Sequence, residues 1–322
     1  MSGARRVMVS GATTPGGAAL VRALLEEPSI ELVLALGLEE AGSAAVATAL
    51  PGAERRLVYE QVDLRRPRAL RRLLFGRARA LEISAVVHSA LHRSARDGGR
   101  GVHDLNVESM REFLHLLERH PTISRLVVRS YAEVYRLVQD RPSIVDEEHP
   151  LDLRPEAPQW VRDRVEADLT ACSAMGQGRL KVIVLRCAEC LAPGSGSQLY
   201  DYLQSRVCMR PLGFDPMMNL LSIEDQCAAI VSALRYGGQG IFNIPGADTL
   251  PLSRLIARFG RVEVPVPAPL LGPLYRLRSA TIGADFRYDL NYWRFHFSGV
   301  LDGARARERL GYSPQHPLRF PR

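Results

Sequence analysis

Apolar and polar positions along the first two thirds of the chain follow two alternating periods. Short apolar runs read as strands: RRVMVSG (5–11), IELVLALG (30–37), RLVYEQVD (56–63), ISAVVHSA (83–90), ISRLVVRS (123–130) and LKVIVLRC (180–187). Between them, apolar residues recur at helical spacing over 16–26, 67–80, 103–119 and 160–174. Nearly continuous apolar strands alternating with helices predict an α/β fold with a doubly wound parallel sheet and right-handed crossovers. After about residue 190 the elements shorten and proline punctuates them, as in VEVPVPAPLLGPL and GYSPQHPLRFPR. The pattern divides the chain into a first domain over 1–190 and a smaller C-terminal one over 191–322, with part of 221–247 returning to the main sheet.

The first strand, turn and helix, VMVSGATTPGGAALVRAL, have the form of a Rossmann-type dinucleotide cradle. In the spacing GxxGxxG, Gly11 permits the tight turn and Gly17 lets the helix pack against the strand, but Thr14 holds the middle place. A side chain there narrows the approach to a pyrophosphate, while the hydroxyls of Thr13 and Thr14 offer it hydrogen bonds. Pro15 suits a first helical position and Gly16 follows it, so a helix N-terminus is aimed at the phosphate. The same stretch fits the front of a P-loop, yet Gly17 and Ala18 stand where Lys and Ser/Thr are required. The acid that selects NAD falls about 20 residues on. Gly37 holds that place, with Glu39 and Glu40 beyond it, and no Arg or Lys lies between Arg22 and Arg55. NAD is therefore favoured over NADP.

Composition changes the picture in two ways. The net charge is +7, and 41 of the 42 basic residues are arginine, Lys181 being the exception. Without a recognisable binding motif, these arginines predict solvated faces rather than a nucleic-acid partner. No apolar run reaches the roughly 18 residues of a membrane span, and the N-terminus lacks a signal peptide's apolar core, so a cytoplasmic location is expected. The apolar, arginine-bearing APLLGPLYRLRSA carries too many helix breakers for membrane contact to be expected. Five scattered cysteines suit reduced thiols, and the Cys187/Cys190 pair has no second pair with which to hold a metal.

Several further segments resemble the extended short-chain dehydrogenase/reductase family of NAD-dependent epimerases and dehydratases, UDP-glucose/galactose 4-epimerase among them. The resemblance rests on EQVDL, VVHSAL, LNVESMREFLHLL, LVVRSYAEVYR, VIVLRCAECLAPG, LSIEDQCAAIVSAL, GIFNIPG and LDGARARERLGYSP, in family order. It implies a cofactor site made of Gly11, Thr13, Thr14, Pro15, Gly16, Gly17, Asp63 and Leu64 near the adenine, Ser89, Ala90 and Asn106. It also implies a nucleotide-sugar ligand and a homodimer through helices 103–119 and 160–174, with Leu105, Met110, Phe113, Leu114 and Leu117 supplying core and partner faces.

The departures fall on the chemistry. The family's reaction uses a tyrosine and, four residues later, a lysine that lowers the phenol's pKa. The matching positions here are Trp160 and Arg164, and the catalytic serine or threonine aligns with Tyr131, just after Ser130. Indole has no dissociable proton at useful pH, and arginine is a bulkier planar cation. Three readings stay open. The chain is a non-catalytic or weakly active sensor or partner protein that holds NAD or a nucleotide. Or it is an active epimerase or oxidoreductase with Tyr131 as the relocated base, tuned by Arg164 or His88. Or it is a scaffold without cofactor. His88, Glu133 and Tyr135 have the simpler reading of residues packed at strand ends and beneath the pocket. The aromatic run ADFRYDLNYWRFHF reads as the core of the small domain in preference to a nucleotide platform.

Overall fold

The computed structural model describes residues 5–40, 55–92, 94–140, 142–282 and 285–320. Residues 1–4, and residues 41–54 of the cation-free segment, lie outside these. Among the described residues a seven-stranded parallel sheet runs in the order β11-β7-β5-β4-β1-β2-β3. Its strands are β1 (Arg6–Ser10), β2 (Leu32–Gly37), β3 (Leu57–Gln61), β4 (Ala85–His88), β5 (Arg125–Tyr131), β7 (Lys181–Cys187) and β11 (Gly240–Ile244), while β6 (Ile144–Val145), β8 (Glu189–Cys190), β9 (Val207–Pro211) and β10 (Met217–Leu221) belong to smaller sheets. The chain winds outward from β1 to β3, then returns to the other side of β1 with β4. A crevice opens at that reversal, beyond the C-terminal strand ends, where doubly wound sheets bind ligands.

Alternation within each strand explains why both faces are covered. In β1, Val7 and Val9 enter one core with Leu20 and Leu24 of α1 (Pro15–Glu26), whereas Met8 enters the opposite core with Leu70, Phe113 and Leu117. Leu70 belongs to α2 (Pro67–Leu73), which continues as a π-turn over Leu74–Ala78. Phe113 and Leu117 belong to a longer helix made of α3 (Arg100–His103), a π-turn (Asp104–Glu108) and α4 (Ser109–Glu118). Met110, Phe113, Leu114 and Leu117 are all buried within the one chain. The outer face that α4 shares with α5 (Gln159–Ser173) carries the ion pair between Arg111 and Glu166.

A third core gathers later elements, with Tyr202, Phe286 and Phe295 fully buried and Tyr275 and Tyr288 around them. Tyr202 lies on α6 (Gln198–Leu203), which is followed by α7 (Ile223–Arg235) and α8 (Leu252–Arg258), Tyr275 on α9 (Ala268–Ile282), and Tyr288 and Phe295 on α10 (Tyr288–His296). Phe286, Tyr288 and Phe295 of the aromatic run are thus core residues, while Tyr292 is 38% exposed.

Candidate functional site

Two glycines shape the turn after β1. Gly11 has φ +70°, a region that L side chains rarely adopt, and a Cβ there would press on the backbone of Ala90 at 3.1 Å. A Cβ on Gly17 would stand 2.1 Å from the Gly11 carbonyl oxygen, so only glycine lets α1 start this close to the strand. Thr14 needs no such freedom, since its backbone is extended at φ −73° and ψ 154°. Its Oγ1 accepts a hydrogen bond from Gly17 N at 3.0 Å and caps α1. The hydroxyl is therefore already a backbone ligand, a role that the Thr-Pro start announces but that the reading as clash or phosphate donor missed. Its O–H proton stays free for a second acceptor. Pro15 is the first residue of α1, with Gly16 after it, and neither walls the cavity described next.

The cavity, of about 490 Å³, lies beyond β1, β2 and β3. Gly11, Thr13 and Thr14 line its floor, Asp63 and Leu64 one end, and Ala90, Leu91 and His92 a side. Gly37 ends β2 beneath the side chains of Thr13 and Tyr59, each within 2.5 Å of a Cβ placed there, so a larger residue at the place that would meet a ribose has to displace them. Asp63 holds Arg65 through both oxygens, at 2.9 and 3.0 Å, and that pairing keeps its carboxyl below the usual range. Ser89 and Ala90 are set by hydrogen bonds to Ser10. Asn106 accepts from the His92 amide at 2.9 Å and so holds the side wall, rather than lining the cavity itself. Asp163, buried on α5, ties His103 and Gln159 to the same region. Across the cavity stand Gly194, Tyr200, Asp201 and Asp285. Burial, with Asp285 and Glu189 nearby, pushes the Asp201 carboxyl up to about 6.

The other half of the crevice, beyond β5 and β7, is filled with side chains. The Arg164 guanidinium is stacked 3.9 Å from the Tyr131 ring centre and 3.8 Å from that of Trp160. It also pairs with Glu133, and its side chain is 2% exposed. Arg294 bridges Glu133 at 3.1 Å and Glu189 at 2.5 Å, and Arg129 covers the Tyr131 ring from 4.5 Å. Burial draws Arg164 below the ordinary arginine range; Tyr131 and Glu189 oppose this, and the like charges of Arg129 and Arg294 add to it. About 10 Å³ of space is left among Arg129, Tyr131, Glu133, Glu189, Ser195 and Arg294, near the least that one water requires. A further cavity of about 550 Å³ touches this cluster at Glu133, Trp160 and Arg294 and is walled by Arg154, Tyr292 and Trp293.

The remaining candidates belong to the scaffold. Ser130 turns away from Tyr131, donating to Asp168 at 2.5 Å, and Asp168 is bound by Arg186 at 2.6 and 3.1 Å. His88 meets Ser10 at 3.0 Å, its ring lies 5.0 Å from that of Phe113, and burial holds it down to about 4, so it is neutral. The Tyr135 hydroxyl donates to Asn243 within a buried network. Cys172, Cys187, Cys190, Cys208 and Cys227 are free thiols. Burial pushes Cys187 up to about 12 and Cys190 up to about 11, which makes them inert as thiolates. Among the described residues no helix is long and apolar enough to cross a membrane.

A Rossmann-type sheet carrying a glycine cradle at its switch point defines the class. The sequence model of the NAD dependent epimerase/dehydratase family matches residues 7–244, and the chain belongs to that family. It is 28% identical to an uncharacterized protein of Mycobacterium tuberculosis, over 96% of this chain and 80% of that protein. Among solved structures, it resembles the dTDP-glucose 4,6-dehydratase DesIV of Streptomyces venezuelae, bound to NAD. There the TM-score is 0.73 at 21% identity, over 97% of this chain and 93% of the other. It also resembles the UDP-glucuronic acid 4-epimerase of Bacillus cereus in complex with NAD, with a TM-score of 0.69 at 15% identity, over 97% and 94%. At these identities the likeness shows the fold.

Proposed function

We propose that this chain holds NAD or another nucleotide in the cradle around Gly11 and Gly17 and acts as a non-catalytic or very weakly active sensor or partner protein. The observation that carries the reading is the fate of the two family positions on α5. Trp160 offers no transferable proton, and Arg164 is committed to a buried stack and ion pair with Glu133. General acid–base help is worth roughly 10²–10⁴ in rate, and this arrangement forgoes it. A second reading, an active epimerase or oxidoreductase with Tyr131 as base, has one observation in its favour: Tyr131 stands against a guanidinium. That cation, however, meets the face of the ring, the geometry of a cation–π contact rather than of a partner to the phenol oxygen. A scaffold without ligand gives no role to a 490 Å³ cavity over the glycine turn. The proposal includes a homodimer through the outer faces of α4 and α5, which light scattering at micromolar concentration reads.

The test combines mass spectrometry of small molecules released from the purified protein with assays on UDP- and dTDP-hexoses in the presence of NAD. A released nucleotide with no turnover is the expected result. Turnover that survives Trp160→Ala and is lost in Tyr131→Phe replaces this reading with the second.

A further inference from the structure

A dinucleotide lies across the crevice of a doubly wound sheet, one mononucleotide to each side of the switch point. The two sides differ here in what they admit. Over β1, β2 and β3 there is an open cavity of about 490 Å³, and none of its lining residues comes from β5, α5 or β7. Over β5 and β7 the space beside Tyr131 is about 10 Å³, and the cavity of about 550 Å³ that touches the cluster at Glu133, Trp160 and Arg294 is lined by neither Tyr131 nor Arg164. The adenosine diphosphate part of the family's cofactor fits the first side: a glycine floor, a helix N-terminus, and Asp63 at the far end. The nicotinamide part does not fit the second, where the Arg164 guanidinium and the rings that sandwich it take up the volume of a planar heterocycle.

Charge points the same way. Arg129, Arg164 and Arg294 face two carboxylates, Glu133 and Glu189. The surplus is one positive charge in a buried site, and an oxidised nicotinamide ring is itself a cation. Like charges at short range in a buried site repel strongly. Swinging Arg164 aside would also leave Glu133 with Arg294 alone, and breaking a buried ion pair is costly.

We propose that Arg164, locked by Glu133 between Tyr131 and Trp160, is a specificity determinant that closes the second half of the groove, so that the chain takes an adenosine diphosphate without nicotinamide in preference to NAD. The inference rests on the nucleotide-binding reading above and narrows it. The ligand class is ADP or ADP-ribose, and the two differ in whether the space toward Gly194, Tyr200 and Asp201 accepts a terminal ribose.

Calorimetry on the full chain with ADP, ADP-ribose, NAD and nicotinamide mononucleotide tests it. The better of ADP and ADP-ribose is expected to bind at least about tenfold tighter than NAD, a difference near 1.4 kcal/mol, with no heat from the mononucleotide. In Arg164→Gly, shown by circular dichroism to be folded, NAD is expected to rise to within about threefold of ADP-ribose. Should that variant melt below the assay temperature, Glu133→Gln, which unlocks Arg164 while keeping the side-chain shape, is expected to narrow the same gap. NAD binding as tightly as ADP-ribose in the parent overturns the inference and leaves the nucleotide reading standing, as does a gap unmoved in a folded variant. Binding of none of the four removes the nucleotide reading itself.

Discussion

The two halves of the crevice were built by opposite means. The half over β1 to β3 has a floor of backbone: glycines whose missing Cβ atoms leave room, a helix start, and a threonine that caps it. The half over β5 and β7 is made of long side chains drawn from five places in the chain, Arg129–Glu133, Trp160, Arg164, Glu189 and Arg294, locked by charge and stacking. On the function proposed above, the backbone cradle serves recognition, and the buried cluster stands where the chemistry is missing. In the first half, Gly11 and Gly17 admit no side chain because a Cβ would meet backbone. In the second, removing Glu133 or Glu189 leaves a buried guanidinium short of a partner.

The largest effect should come from undoing the filled half. Trp160→Tyr with Arg164→Lys restores a phenol and an amine four residues apart on one helical face. Hydride transfer from a UDP- or dTDP-hexose to NAD, followed at 340 nm, should rise by roughly 10²–10⁴ over the parent. A double variant as inert as the parent would mean that more than this pair has been lost. Next in size, Glu133→Ala leaves Arg164 without its anion and weakens Arg294, and should destabilise the chain by about 3–5 kcal/mol in a urea titration. A loss under about 1 kcal/mol would show that solvent reaches this cluster and would break the contrast between the halves.

Effects in the open half should be smaller. Gly17→Ala forces a Cβ against the Gly11 carbonyl and should cost about 1–3 kcal/mol, with nucleotide affinity falling in parallel. Asp201 supplies a pH test. Its carboxyl is raised from 3.8 to about 6 by burial, so the folded state is penalised once the group ionises, fully above about 6, and the penalty fades as pH falls toward 4. Asp201→Asn should therefore stabilise the chain at pH 7.5 by about 1–2 kcal/mol after allowance for partial solvation, and the gain should vanish near pH 4. A gain independent of pH would assign the effect to something other than the charge. Smallest of all, Thr14→Gly exchanges a capping hydroxyl for a residue that N-caps tolerate, at a cost of a few tenths of a kcal/mol. Nucleotide affinity should then change by less than about fivefold. A larger loss would make the hydroxyl a phosphate ligand as well as a cap.

Legibility followed the same division. Strand periodicity, the Gly11 and Gly17 spacing and the Pro15 helix start are local patterns, and local geometry realises them. The expectation that Trp160 and Arg164 stand at the family's tyrosine and lysine positions came from the order of the family's segments. What those residues do was not visible. Glu133 read as a loop residue, and nothing in the sequence ties it to Arg294 across 161 positions. Ion pairs between distant segments leave no periodicity, and a chain with 42 basic and 35 acidic residues offers far too many pairings to choose from. The aromatic run was read as core, which Phe286, Tyr288 and Phe295 are, while Tyr292 and Trp293 from the same stretch wall a cavity. A helical run presents both faces, and composition alone does not say which residue takes which.

The contrast between the halves is tested most directly by a crystal structure of the chain soaked with NAD. The account predicts an ordered adenosine diphosphate over Gly11, Thr14 and Asp63, with Arg164 still between Tyr131 and Trp160 and the nicotinamide ring turned out of the crevice. An ordered nicotinamide against Tyr131, with Arg164 displaced from Glu133, would contradict it.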